Sequence, residues 1–259
     1  MSVIERFVRF ERNGTCGYGR LVDDQIAPIQ GGLFGSRQRN GEPFALSDAR
    51  LLYPVEPRKI LCVGLNYASH LGDRARPDRP EMFYKPLTAL QDPEGEIMLP
   101  PDAKDVHPEA ELVVVIGQRA SRASLEEAEQ AIFGYSCGND VSDRNWQRGS
   151  LGDKADRQWW RAKGSDTFGP LGPCVAVGLD PASSRIECRI NGEVSQSQTC
   201  GDLIFPPAEI VAYVSRYVTL EPGDLIYTGT PGKTRAMKPG DVVEVEIEGI
   251  GVLRNPVSA

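Results

Sequence analysis

The run "ELVVVIG", Glu111–Gly117, limits the fold more than any other stretch. Its apolar residues follow one another without polar alternation, the pattern of a strand covered on both faces. Two carboxylates, Glu109 and Glu111 in "HPEAELVVVIG", lead straight into it. Carboxylates are poorly tolerated in dry interiors unless something pairs with them.

Side chains two apart on a strand share a face, and strand rise spaces them by about 7 Å. Glu109 and Glu111 can therefore converge on a cation. An edge strand with one solvated face would carry the same pair, but the unbroken apolar run argues against it. "GYSCGNDVSDRNWQ" offers further oxygens in Asp140, after a Gly-Asn turn, and Asp143. An Asx turn is the ordinary use of Asp140 in that setting. An all-oxygen set of Glu109, Glu111 and Asp140 suits Mg²⁺ or Mn²⁺, with Ca²⁺ also accommodated, and leaves about three octahedral positions for water or a chelating substrate. His107 shares the parity of the glutamates, yet Pro108 intervenes, and a supporting role is the favoured reading.

"GLNYASHLGDRARPDRP" places His70 and Asp73 three apart. On a helical turn the carboxylate would orient the imidazole, and the pair could activate water. A surface histidine in a charged loop has the same spacing. The polar segment from Gly72 to Pro80 reads as a lid.

Composition narrows the classes. A chain of 259 residues holds one large domain, or one plus a small one. A net charge of −7 without a sustained Lys/Arg cluster argues against nucleic acid. No apolar stretch nears the ~20 residues of a membrane span. "MSVIERFVRFERNGT" lacks the apolar core of a signal peptide. The six cysteines are dispersed, and they read as reduced thiols of a cytoplasmic protein. "TGTPGKT" imitates a phosphate loop, but Tyr227 stands where its first glycine belongs. No G-x-S-x-G elbow supports a serine hydrolase.

Short strand-like runs dominate, among them "RFVRFER", "KILCVGLNY", "DLIYTGT" and "DVVEVEIEG". "INGE" signals a hairpin. Ser124 and Glu127 form a capping-box pattern, and "PAEIVAYVSRYVTL" has helical spacing after Pro207. The expectation is a mainly β protein with a few helices: a small N-terminal unit over residues 1–55, then a larger domain over 56–259.

Eight segments carry a resemblance: "CVGLNYASH", "MFYKPLTAL", "PEAELVVVIG", "GYSCGNDVSDRNWQ", "AKGSDTFGPLGP", "INGEVSQSQT", "LEPGDLIYTGTP" and "KPGDVVEVEIEGIGVLRN". In this order and spacing the chain resembles the fumarylacetoacetate hydrolase superfamily, most closely its short bacterial members, over about Lys59 to Pro256. The resemblance implies a mixed β-sheet roll, a homodimer and a divalent metal held by Glu109, Glu111 and Asp140. It implies Lys163 as the holder of substrate oxygens or an oxyanion. Arg144, Gln147, Thr167, Thr230 and Lys85 are the implied substrate contacts, and His70 is the lid histidine. Asp73 stands where many of the family's hydrolases carry Glu. Lys233-Thr234-Arg235 replaces the usual Gly-Val-Gly, either to select a second anionic group or as surface variation.

The leading expectation is metal-dependent C–C hydrolysis of an acylpyruvate-type β-diketo acid, with His70 and Asp73 activating water and Lys163 stabilising the oxyanion. An isomerase or decarboxylase on a related 2-keto or enol dicarboxylic acid would share the enolate but need no attacking water. A non-catalytic ligand-binding scaffold is the third reading, disfavoured by the presence of His70, Lys163 and all three carboxylates.

Overall fold

The computed structural model describes residues 3–259, and strands dominate it. A twelve-stranded mixed sheet has the path Phe44–Ala45, Gln25–Ile29, Thr15–Val22, Glu5–Arg12, Gly169–Val177, Ile132–Asn139, Ala110–Ile116, Leu225–Tyr227, Ile60–Gly64, Glu81–Lys85, with Arg50–Leu52 also paired to Glu5–Arg12 and Leu90–Gln91 to Gly169–Val177. Neighbours along it are antiparallel except Leu225–Tyr227 and Ile60–Gly64, which run parallel. A second sheet of five strands orders as Glu193–Thr199, Arg185–Ile190, Val242–Ile247, Gly251–Ser258, Ile97–Met98.

Ala110–Ile116 is buried at every position. Leu112 lies in a core shared with Ile186, Val243, Val245 and Leu253 of the five-stranded sheet. Val114 and Ile116 lie under the helices Leu125–Ala131 and Pro207–Ser215, through Ala128, Ile210 and Val214. Val113 and Val115 face the opposite side, against Ile60, Phe83 and Val175. Both faces are therefore covered, which explains the missing polar alternation.

The local signals form as expected. Ser124 and Glu127 close a reciprocal capping box. Asn191 and Gly192 take positive φ between Arg185–Ile190 and Glu193–Thr199, as a tight hairpin turn requires. Val242–Ile247 alternates buried and half-buried residues.

The N-terminal meander continues the large sheet: Glu5–Arg12 pairs with Gly169–Val177, and Val8, Phe10 and Ile26 join the core that holds Leu112. Two or three short strands cannot cover an apolar face alone, so they share a larger one. Among the described residues no helix is long and apolar enough to cross a membrane, and all six cysteines are free thiols.

Gly138 sits opposite Glu111 in the ladder. A Cβ there would meet Val113 Cγ2 at 2.4 Å and Tyr227 Cε1 at 2.5 Å. The absence of a side chain lets Tyr227 lie flat against the strand that leads to Asp140. Gly138→Ala should lower stability by about 1–3 kcal/mol through overpacking, read from urea unfolding midpoints.

Candidate active site

Glu111 lies within the strand Ala110–Ile116 on the Val113 face, and Glu109 continues that face one residue before its start. Asp140 follows the neighbouring strand Ile132–Asn139, and its N–H donates to the Glu109 carbonyl at 2.9 Å. The Asn139 side chain accepts from the Glu109 N–H at 3.0 Å. These bonds fix the two chain ends side by side. One oxygen from each of Glu109, Glu111 and Asp140 lies within 4.8 Å of the others, and all three residues are buried.

Three cations surround them. Lys163 Nζ donates to Glu109 Oε2 at 2.7 Å, Asp140 Oδ2 at 2.5 Å and Ser142 Oγ at 2.5 Å. Arg144 pairs with Glu109 Oε1 through Nη2 and donates to Gln147 Oε1 at 2.9 Å. Lys85 Nζ lies 2.7 Å from Asp140 Oδ1, but its hydrogen bonds go to the carbonyls of Lys163 and Phe168. Asp140 Oδ1 is thus buried with a cation beside it and no hydrogen bond of its own.

Burial would raise the Glu109 carboxyl, but Arg144 and Lys163 outweigh it and hold the group well below the usual range. Glu111 lacks such a partner. Burial first, then the charges of Asp140 and Glu109, push it well above that range, against the charge of Lys163 and one bond from the Gly229 N–H at 2.7 Å. Burial would lower the Lys163 ammonium, yet Asp140 and Glu109 keep it above its ordinary value. A crowded all-oxygen cluster with one unsatisfied oxygen and one strongly destabilised carboxylate fits a hard divalent cation.

The carboxylates open on a cavity of about 330 Å³, whose walls include His70, Arg144, Gln147, Trp159, Lys163 and Thr230. Thr230 donates to the Ala110 carbonyl at 2.8 Å and accepts from Gln196 Nε2 at 2.8 Å. His70 closes the short 3₁₀ turn Ala68–His70. Its Nδ1 lies 2.5 Å from the Gly232 carbonyl and its Nε2 3.8 Å from Glu109 Oε1. A carbonyl can only accept, so Nδ1 carries the proton. Burial lowers the imidazole below its usual value despite opposing contributions from Glu109 and the Gly232 carbonyl. The ring is therefore neutral at pH 7, with the lone pair on Nε2.

Several expected residues lie elsewhere. Asp73 is exposed and makes no hydrogen bond or ion pair with His70. Gly72 at φ +60° ends the turn after His70, so the helical i, i+3 geometry is never built. The Lys85 side chain is fully buried beneath Asp140 and supports that carboxylate instead of reaching the cavity. Thr167 is outside the cavity wall, and its hydroxyl accepts from the Met98 N–H at 2.9 Å. Asp143 caps the helix Arg144–Arg148 through the Trp146 N–H at 3.0 Å. His107 stays outside the carboxylate group, 3.0 Å from Asp105 Oδ1 and 2.8 Å from Thr234 Oγ1. Arg235 pairs with Glu193 at 2.8 Å, away from the cavity.

The motifs did not single out Gln196, Ser142, Trp159, Arg74 or Arg148. Gln196 is buried and joins the Ala110 N–H (3.1 Å) to Thr230 and to the Pro231 carbonyl (2.6 Å). Its alternation in "SQSQT" resembles that of any polar strand, so no local signal distinguishes it.

With this geometry in view, comparison with known proteins is direct. The model of the fumarylacetoacetate hydrolase C-terminal domain matches residues 59–258, and an Rv2993c-like N-terminal model matches 5–54. The chain belongs to the fumarylacetoacetate hydrolase family. It is 42% identical to Protein Rv2993c of Mycobacterium tuberculosis, covering 86% of this chain and 84% of that protein. It is 41% identical to the mitochondrial oxaloacetate tautomerase FAHD2A of Bos taurus, covering 82% and 70%. The structure of 2-hydroxyhepta-2,4-diene-1,7-dioate isomerase from Mycobacterium marinum superposes with a TM-score of 0.89 at 37% identity, covering 98% of each chain.

MgCl₂ or MnCl₂ should raise the melting temperature of the wild type, by the equivalent of about 2.7 kcal/mol at a hundredfold excess over Kd, and leave Glu111→Ala unmoved. A cation requires Glu111 ionised, and its carboxyl is raised. Affinity should therefore rise with pH through that raised value, with proton release. Calorimetry in two buffers of different ionisation enthalpy measures the release.

Proposed function

We propose that the chain is a divalent-cation-dependent isomerase of 2-oxo acids, interconverting keto and enol forms by moving a proton at C3. The observation that carries this reading is His70. Its tautomer is set by a backbone carbonyl, its Nε2 lone pair lies at the cavity wall 3.8 Å from Glu109 Oε1, and no carboxylate bonds its Nδ1 as in a water-activating His–carboxylate dyad.

Glu109, Glu111 and Asp140 would hold the cation, which supplies Lewis-acid stabilisation of the substrate carboxylate and 2-oxo oxygen. Nε2 takes the C3 proton, the C–H electron pair becomes the C2–C3 double bond, and the carbonyl π pair moves onto the C2 oxygen. The imidazolium Nε2–H then gives that proton to the C2 oxygen, forming the enol, or back to C3, restoring the keto acid. Glu109 stabilises the imidazolium formed in between. All three N–H groups of Lys163 are already engaged, so it acts on the oxyanion through its charge. Arg144 retains donors beyond those spent on Gln147, Glu109 and Thr234, and on the cavity wall these would be available to a substrate oxygen.

The names of two similar proteins, a tautomerase and an isomerase, support proton-shift chemistry. The second reading, hydrolysis of an acylpyruvate-type acid, uses the same Nε2 to deprotonate water and is favoured by the family's hydrolase activity. It asks of Asp73 an orientation that the Gly232 carbonyl supplies instead.

Proton NMR in D₂O with Mg²⁺, joined to mass spectrometry, tests the choice over oxaloacetate, dienedioates and acylpyruvates. Isomerisation predicts C3 exchange with products of unchanged formula. His70→Ala should lose at least ~100-fold, the usual contribution of a general base. Asp73→Asn should stay within about threefold, as expected where no hydrogen bond is lost. Pyruvate plus a second acid would establish hydrolysis, and carbon dioxide would establish decarboxylation.

A further inference from the structure

Two arginines at the cavity have no role in the chemistry above. Arg74 lies on the exposed segment after His70, and Arg148 ends the helix Arg144–Arg148. Both line the cavity that holds the carboxylates. Neither side chain makes a hydrogen bond or ion pair with a described residue, although the chain carries 36 acids against 29 Lys and Arg. Arg9, Arg39, Arg50 and Arg254 pair with acids on the surface, and it is the position of Arg74 and Arg148 on the cavity wall, together with their lack of a partner, that sets them apart.

Arg148 is also i+4 from Arg144, so the helix brings two like charges to one face, an unfavourable arrangement when nothing lies between them. Burial, then Arg144 and Arg74, weaken the Arg148 guanidinium's hold on its proton, while Glu109 and Asp105 act on it only from a distance. One further acid, Glu81, reaches the cavity wall. It is paired in register with Gly64, which packs near Trp159, and it makes no ion pair with either arginine. Two unpartnered guanidiniums therefore meet beside a site whose own carboxylates are spent on Lys163, Arg144 and the cation they would hold.

We propose that Arg74 and Arg148 bind a second, distal carboxylate, so that the substrate class is 2-oxo dicarboxylic acids rather than 2-oxo monocarboxylic acids. The inference rests on the 2-oxo acid reading above and names its specificity residues. Guanidinium forks match a carboxylate in shape and charge, and two of them would sense its presence at the end remote from C2. The anion selector that Lys233 and Arg235 suggested in the sequence thus lies on the histidine segment and on the Arg144 helix.

The test measures binding apart from turnover. With Mg²⁺ present, calorimetry compares 2-oxo dicarboxylates of four to seven carbons with 2-oxo monocarboxylates of equal length. The wild type should bind its preferred dicarboxylate about ten- to a hundredfold more tightly than the matching monocarboxylate, the range of a charge-assisted contact. Arg148→Leu and Arg74→Leu should each shrink that advantage, and the double variant should abolish it. Monocarboxylate and Mg²⁺ binding should stay unchanged, because neither arginine braces the fold. Arg148→Lys should restore part of the advantage. Equal binding of the two classes by the wild type, or an advantage that survives the double variant, overturns the proposal. C3 exchange, followed separately, decides the isomerase reading: dicarboxylate preference without exchange overturns that reading and leaves the specificity pair standing.

Discussion

Three buried carboxylates held against three buried cations are the constraint on which the rest of this structure turns. Glu109, Glu111 and Asp140 face Lys85, Lys163 and Arg144 where water cannot screen them. Each charge alone would be prohibitive there, and together they persist because the backbone sets their spacing. The compensation is uneven. Glu109 accepts from two cations, Asp140 from one with a second in contact, and Glu111 from a backbone N–H. That unevenness separates the cluster from a closed salt-bridge network and leaves it able to hold a cation.

The folding pattern follows from that spacing. Adjacent strands deliver the carboxylates from one edge, and the 3₁₀ turn Ala68–His70 brings the imidazole to their mouth. The loop Gly229–Gly232 serves both sides: its Gly229 N–H donates to Glu111, its Thr230 hydroxyl to the strand, and its Gly232 carbonyl accepts from His70. A single loop thereby couples the base to the carboxylates. This coupling sets the imidazole tautomer without a second acid.

Much of this was legible in the residues. The unbroken "LVVVI" run gave a doubly covered strand, Asn191-Gly192 a hairpin, and Ser124 with Glu127 a capped helix, because each signal is local. The carboxylate set was legible because strand parity puts Glu109 and Glu111 on one face. The His70–Asp73 contact is not formed in this structure, because same-face spacing assumes a continuing helix and the left-handed Gly72 ends it. Lys85 and Thr167 belong to segments that resemble the family, but a motif does not say whether a side chain points at the ligand or behind it. Arg74 and Arg148 carried no motif; their meeting at the cavity wall without a partner marks them, and that is a property of space.

The sequence by itself determined the kind of elements, the pairing of two glutamates on one strand face and the family to which the chain belongs. These depend on periodicity and on short motifs, which act over a few residues. The tertiary structure alone decided which cation meets which carboxylate, which carbonyl holds His70, and which arginines are left free. Those contacts join residues far apart in the chain, from 23 positions for Lys163 to Asp140 up to 162 for His70 to Gly232. Their energies depend on burial and distance, quantities that a linear pattern does not carry.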